Sequence, residues 1–149
     1  MVKKDKVMLR CAACRAINKV AATRLKEGPK CGKCKSLLTF PKDPVWAKGA
    51  TFEKEVLDWP GLVLIEFSAA WCGHCRTFKP VLEGFARDMA GIIKVVVVDV
   101  DDDPHLAQSY NVKATPTLVL YDNGTKVDMI TGAFPRERLE AWIDSVLSL

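Results

Sequence analysis

No stretch of this 149-residue chain stays apolar for long. Its longest hydrophobic runs, Leu62–Ile65 and Val95–Val98, are the size of strands. A membrane helix needs roughly 20 such residues, so neither a span nor a membrane partner is expected. The opening MVKKDKVMLRCAAC is basic. No apolar run of about 7 to 15 residues follows it, which argues against a secretory signal and makes a cytoplasmic location the expectation. Internal repeats and low-complexity tracts are also missing, apart from the acidic stretch Asp99–Asp103. That stretch reads as a solvated loop, because the glycine and distal glutamate of a calcium loop do not follow in register. Aromatic residues are scarce at the start: Phe40 is the only one in the first 45 positions. The stacking platform of a single-strand nucleic-acid binder is therefore absent there.

What is present is the composition of a soluble globular protein, 49% hydrophobic and 27% charged. The length suits one domain of about 100 residues and something smaller. The net charge of +4 hides an asymmetry, because residues 1–45 hold 12 Lys/Arg against 3 Asp/Glu and the remainder is acidic. A basic segment of this kind is either a solvated face or a surface for an acidic partner. The segment Phe40–Ala50 combines two prolines with a glycine and has no helical or strand period. It divides the chain into an expected small domain at 1–42 and a larger one at 43–149.

In the larger part, Leu62–Phe67 and Ile92–Val100 are nearly continuous β-branched or aliphatic runs, as in parallel strands covered on both faces. Between them Cys75–Ala90 reads as a helix with Phe78, Leu82, Phe85, Ala86 and Met89 on one side. A short helix is expected over Thr51–Leu57, capped by Thr51, before Trp59-Pro60-Gly61 stops it. Thr117–Tyr121 and Lys126–Thr131 flank an Asn-Gly pair and predict an antiparallel hairpin. Glu137–Leu147 closes the chain as an amphipathic helix, which completes a mixed sheet between helices.

The six cysteines form three CxxC pairs. Close pairs in a chain without a signal point to metal or redox chemistry before structural disulfides. Sixteen residues separate Cys11-Ala12-Ala13-Cys14 from Cys31-Gly32-Lys33-Cys34. That matches the spacing of a zinc ribbon, in which two tight turns offer four thiolates to one structural zinc and leave no open position. Four thiolates can also hold iron. No organic cofactor is called for. Cys72 and Cys75 sit instead at the turn from a strand into a helix. Free N–H groups and the positive end of the helix dipole stabilise a thiolate there, making Cys72 the nucleophile and Cys75 the resolving thiol. His74, when protonated, would favour the thiolate further. Glu66 lies among apolar neighbours in LVLIEF, so desolvation should raise its pKa. Pro116 alone reads as a proline at the start of a strand.

Glu66-Phe67, Trp71-Cys72-Gly73-His74-Cys75, Pro80, Thr115-Pro116-Thr117, Asn123-Gly124 and Gly132 occur in the order found in thioredoxins, and the second part of the chain resembles that family throughout. The first part is similar to the amino-terminal extension of zinc-containing bacterial thioredoxins, although its CAAC knuckle lacks the usual proline and glycine. The resemblance implies an α/β thioredoxin fold, a five-stranded mixed sheet flanked by four helices, behind a small zinc ribbon. It also implies a cis Thr115–Pro116 peptide against the cysteines and a Thr115 backbone that offers itself to an extended substrate. Trp71, Gly132 and Ala133 would line the same groove, and Glu66 would accept the Cys75 proton through water. Two departures stand out. Gly73-His74 resembles the disulfide isomerases, and the lysine often paired with the buried acid is replaced by Val97.

By this resemblance the chain is a protein-disulfide reductase acting on protein disulfides as a monomer, with a flavin-containing thioredoxin reductase as electron donor. The alternatives are an oxidase or isomerase favoured by His74, or a redox-sensing module whose basic ribbon binds nucleic acid. The reductase is preferred because a cytosolic poise keeps thiols reduced, and nucleic acid is not expected as a partner.

Overall fold

The computed structural model describes residues 6–147. The ends of the two expected domain ranges, at 1–5 and 148–149, lie outside the described residues. Strands β1 (Lys6–Arg10) and β2 (Ile17–Ala21) pair antiparallel in the amino-terminal part. The larger part is built on a five-stranded sheet in the order β3-β5-β4-β6-β7. Its members are β3 (Val45–Trp46), β4 (Leu62–Ser68), β5 (Ile93–Asp99), β6 (Thr117–Asp122) and β7 (Thr125–Thr131). β3, β5 and β4 run parallel, and β6 and β7 complete the sheet antiparallel.

The near-continuous apolar character of β4 and β5 follows from their central place, since helices cover both faces. Strand alternation then sorts the side chains. Leu62 and Leu64 of β4, with Ile93, Val95 and Val97 of β5, meet Phe78, Leu82 and Phe85 of helix α2 (Gly73–Asp88) and Leu139 and Ile143 of helix α4 (Arg136–Val146). Val63, Ile65 and Phe67 face the other way. There they meet Phe52 of α1 (Gly49–Phe52), Val56 in the wider helical turn Glu53–Leu57, and Ala107 of α3 (Pro104–Ser109). Glu66 shares the parity of Leu62 and Leu64, so it points beneath the start of α2.

The amino-terminal part packs on the second of these faces. Val7 and Leu9 alternate inward from β1 and join Val56 and Trp59 in one buried cluster. Phe40 meets Trp59 edge-on, with ring centroids 5.8 Å apart. Arg10 Nε donates to the Asp58 carbonyl at 2.8 Å, and Arg15 reaches the Asp58 carboxylate at 3.5 Å. Beside them the buried Lys94 donates to the Glu55 carbonyl, pairs with the Glu55 carboxylate at 3.1 Å and lies 4.1 Å from the Trp59 ring centre. Burial pulls the Lys94 pKa down while Glu55 opposes the shift.

Several boundaries differ from those expected. Thr51 is not the cap of the first helix. The helix starts at Gly49, and the Lys48 N–H donates to the Thr51 hydroxyl from one turn earlier, so the threonine acts from inside. The segment without apparent period holds β3, a two-residue edge strand aligned by Val96 and Val97. α2 begins at Gly73, two residues before the expected start, because the cysteine turn itself is wound into it. The acidic stretch is exposed at Asp101 and Asp102, but Asp103 has a structural task. Its carboxylate caps α3 through the Leu106 N–H and accepts the N–H of Gly49, tying α1 to α3.

Candidate redox site and metal centre

β4 delivers the chain to Cys72, which is the residue capping α2. Its sulfur accepts the Cys75 N–H at 3.1 Å and lies 3.4 Å from the Thr115 carbonyl oxygen. Cys72 and Cys75 are joined in a disulfide, and both are buried. Gly73 and His74 are exposed in the first turn of α2. The Thr115–Pro116 peptide is cis. The Pro116 carbonyl accepts the Gly132 N–H at 2.9 Å, which brings β7's end beside the same loop. Gly132 has φ +137°, and a Cβ there would press on the Phe134 ring, so the position favours glycine. Ala133 is half-buried against the α2 face of the sheet.

Trp71 stands out at 65% exposed, with its indole N–H held by Asp101 at 2.8 Å. Sequence reasoning missed that anchor. An aspartate in an acidic loop some 30 residues away carries no local signal of its partner. The site residues thus gather as Cys72, Cys75, Thr115, Pro116 and Gly132, with Trp71 next to Cys72 in the chain and tied to Asp101 of the acidic loop.

Under the disulfide, Glu66 is 4% exposed, and its Oε2 has no hydrogen-bond partner. Burial pushes its carboxyl up to about 7 from the ordinary 4.5. Val97, its partner in register on β5, offers only methyl groups. Glu66 and Cys75 line one cavity of about 340 Å³ that opens between α2 and the end of β3.

The other four cysteines form a second site. The two CxxC turns repeat one geometry. The Cys11 N–H donates to Ala16 and the Cys31 N–H to Ser36, each at 2.8 Å, while Arg15 and Lys35, one residue past each pair, have φ of 68° and 67°. These are the positions where a glycine would be the unstrained choice. The four sulfurs lie within 4.8 Å of one another, with the Cys11–Cys34 and Cys14–Cys31 sulfurs each 3.6 Å apart. A tetrahedron with metal–sulfur bonds of about 2.3 Å has edges near 3.8 Å, so the set fits a four-thiolate metal centre.

The polar surroundings favour thiolates at Cys31. The Cys34 N–H and then the Asn18 amide hold its thiol down to about 6. At Cys14 the Ala16 N–H favours the thiolate, but burial and the neighbouring cysteines outweigh it and push the thiol up to about 11. Asn18 has no counterpart among the expected site residues. Its amide donates to the Cys31 sulfur at 3.4 Å and its oxygen accepts the Gly32 N–H at 2.9 Å, so β2 braces the second knuckle.

Comparison with known proteins bears on both sites. A family described as thioredoxin matches residues 43–145, and one described as thioredoxin 2, N-terminal, matches residues 10–36. The chain is 42% identical over 98 residues to thioredoxin 1 of Nostoc sp., an alignment covering 66% of this chain and 92% of that protein. It is 37% identical over 99 residues to a thioredoxin of Porphyra purpurea, with the same shares covered. Among solved structures, a mutant thioredoxin from Halobacterium salinarum superimposes with a TM-score of 0.65 at 33% identity, covering 73% of this chain and 95% of that one.

Two outcomes follow from the geometry. Unfolded, Glu66 ionises near 4.5, and folded, it keeps its proton to about 7. As pH rises through that window the unfolded state sheds the proton first, so stability falls. Oxidised wild type should lose about 3 kcal/mol relative to Glu66→Gln between about pH 4 and 8, read from denaturant midpoints. Parallel curves for the two proteins would exclude the buried, partnerless carboxyl. For the metal centre, Asn18→Leu should hasten zinc loss to a colorimetric chelator about tenfold. An unchanged loss rate would show that Asn18 does not brace the site.

Proposed function

The chain belongs to the thioredoxin family and carries the amino-terminal ribbon of a thioredoxin 2, and from this premise we propose that it is a general protein-disulfide reductase. The observation that carries the reading is the Cys72–Cys75 disulfide at the first turn of α2, with the Cys72 sulfur taking a backbone N–H. In the reduced protein that N–H and the helix dipole favour a Cys72 thiolate. The thiolate attacks one sulfur of a substrate disulfide, forming a mixed disulfide and expelling the other substrate sulfur as thiolate. Cys75 then attacks the Cys72 sulfur, the second substrate thiolate leaves, and the Cys72–Cys75 disulfide is restored. Two electrons pass from the dithiol to the substrate. Glu66 accepts the Cys75 proton, by way of water in the cavity they share, and an acid titrating near 7 is matched to that task at neutral pH.

The carbonyl of Thr115, 3.4 Å from the Cys72 sulfur, would meet the backbone of an extended substrate, and Pro116, Gly132, Ala133 and Trp71 would line its path. A flavin-containing thioredoxin reductase would return the electrons to a monomeric protein. Cys11, Cys14, Cys31 and Cys34 would hold one structural zinc, which serves as a crosslink and leaves no position for a reacting water. Four thiolates of this kind suit a reducing compartment, which supports a cytoplasmic location. Among the described residues no helix is long and apolar enough to cross a membrane.

A second reading, an oxidase or isomerase, is favoured by His74, exposed between the cysteines. An imidazolium there would stabilise the reduced form and raise the potential.

Insulin-disulfide reduction tests the first reading. Cys72→Ser should fall to the rate of buffer alone, and Cys75→Ser should accumulate a mixed disulfide visible on a non-reducing gel. Turnover retained in Cys72→Ser would end the proposal. Equilibration with glutathione tests the role of His74. The reference potentials of thioredoxin and the isomerase, about −270 and −180 mV, should bracket the wild type, and His74→Pro should move it toward the lower value. No change in that variant would remove the histidine from the argument.

A further inference from the structure

The cavity beneath the disulfide has two chemically different ends. At its inner end it is lined by Glu66, a buried carboxyl whose Oε2 has no hydrogen-bond partner. Its walls are the apolar side chains of Val97, Leu82 and Pro44, and its mouth is flanked by Trp46, which is 62% exposed on the edge strand β3. Asp43, Glu83 and Asp99 also line it, against two cations, Arg76 and Lys79. Of these, Arg76 is turned to the Ala70 carbonyl at 3.1 Å, and Asp43 lies 3.8 Å from Arg87. Neither cation reaches the Glu66 oxygen.

A site with an acceptor at its base, an excess of carboxylates, apolar walls and an indole at its mouth is complementary to one class of ligand. Water satisfies the carboxylate but gains nothing from the walls or the indole. An anion is repelled by the carboxylates. A positively charged head on a short alkyl stem pairs with Glu66, covers the apolar wall and passes the face of Trp46. We infer that this cavity binds an aliphatic cation, an ammonium or guanidinium group, of the kind that a lysine or arginine side chain of a docked protein substrate supplies. The inference rests on the same Glu66 that the proposed mechanism uses as proton acceptor. The cation, once seated, favours the ionised acid and so the form able to take the Cys75 proton.

The full-length, zinc-loaded chain with its disulfide closed is titrated with n-butylammonium, n-butylguanidinium and butan-1-ol, which has the stem without the charge, and followed by two-dimensional amide NMR. Both cations should give saturable shifts at Glu66, Val97 and Trp46, and should bind at least about tenfold more tightly than the alcohol. Glu66→Gln should erase that advantage. Trp46→Ala, at an exposed position that leaves the core intact, should weaken cation binding about two- to fivefold. Equal affinity for alcohol and cation, or binding indifferent to both substitutions, overturns the inference.

The source is resolved with two disulfide-linked peptides bearing lysine or norleucine beside the cystine. A higher kcat/KM for the lysine peptide that disappears in Glu66→Gln supports a substrate side chain. Equal values alongside binding of the free cations overturn that source in favour of small amines. Because the titration reads binding without turnover, its failure leaves the reductase reading standing, and loss of insulin reduction leaves the binding result standing.

Discussion

The redox centre depends on one hydrogen-bonding relation. The first turn of any α-helix has N–H groups with no carbonyl to receive them, and in α2 the group that meets them is a sulfur, with the Cys75 N–H directed at Cys72. This relation exists because β4 is buried along nearly its whole length and cannot shift, so the turn that follows delivers Cys72 to the capping position. Its strength can be bounded. A charge at a helix end is stabilised by about 0.3 to 2 kcal/mol. The interval between the thioredoxin and isomerase potentials is about 90 mV, or roughly 4 kcal/mol. Capping alone therefore covers at most half of that interval. Because every helix-capping cysteine of this kind shares it, the difference has to come from side chains that vary, with His74 in the same turn the nearest at hand.

The ribbon obeys a different constraint. Its described residues bury Val7, Leu9 and Leu38 besides Cys11 and Cys31, too few side chains for an independent core. It solves the shortage in two ways, by gathering four sulfurs into one centre and by adding Val7 and Leu9 to the cluster around Val56 and Trp59. The charge contrast between the two parts takes on a local meaning at that seam. Arg10 and Arg15 both meet Asp58, so part of the basic character read from the first 45 residues is complementarity within the chain. The metal centre and the redox sheet are thereby connected through packed side chains, with Lys94 paired to Glu55 and lying against the Trp59 ring at the contact.

Where the sequence was informative, the signal was local. Periodicity located β4, β5 and α2, and the Asn123-Gly124 turn set the hairpin, because those elements are specified by neighbours a few residues apart. CxxC spacing identified the four cysteines that the fold brings together, since two tight turns have few other uses for paired thiols. What escaped was non-local. β3 is only two residues long, and it exists because β5 presents an edge for Val45 and Trp46 to pair with. The Trp71–Asp101 bond, the Asn18 brace and the Asp103 link to Gly49 each join side chains or backbone far apart in the chain, and no local period reports them. The displaced start of α1 has the same origin, since Gly49 is held by Asp103 from another helix.

Among the described residues, three buried polar or charged side chains, Glu66, Lys94 and Thr117, show how burial separates structure from chemistry. Thr117 gives its hydroxyl to the Ala114 carbonyl at 2.6 Å and lies 3.2 Å from the Thr131 hydroxyl. Lys94 has a carbonyl, a carboxylate and an aromatic face. Both are costly groups whose desolvation is offset by fixed partners, and their positions are explained by stability alone. Glu66 is different. Leucine there would continue the row of Leu62 and Leu64, fill the space against Leu82 and relieve an unpaired carboxyl that costs on the order of a few kcal/mol when ionised. The fold gains nothing from the acid. Under the proposed mechanism, a group that destabilises its own strand and shares a cavity with Cys75 is there for what it exchanges with other groups, a proton with Cys75 and a charge with whatever enters.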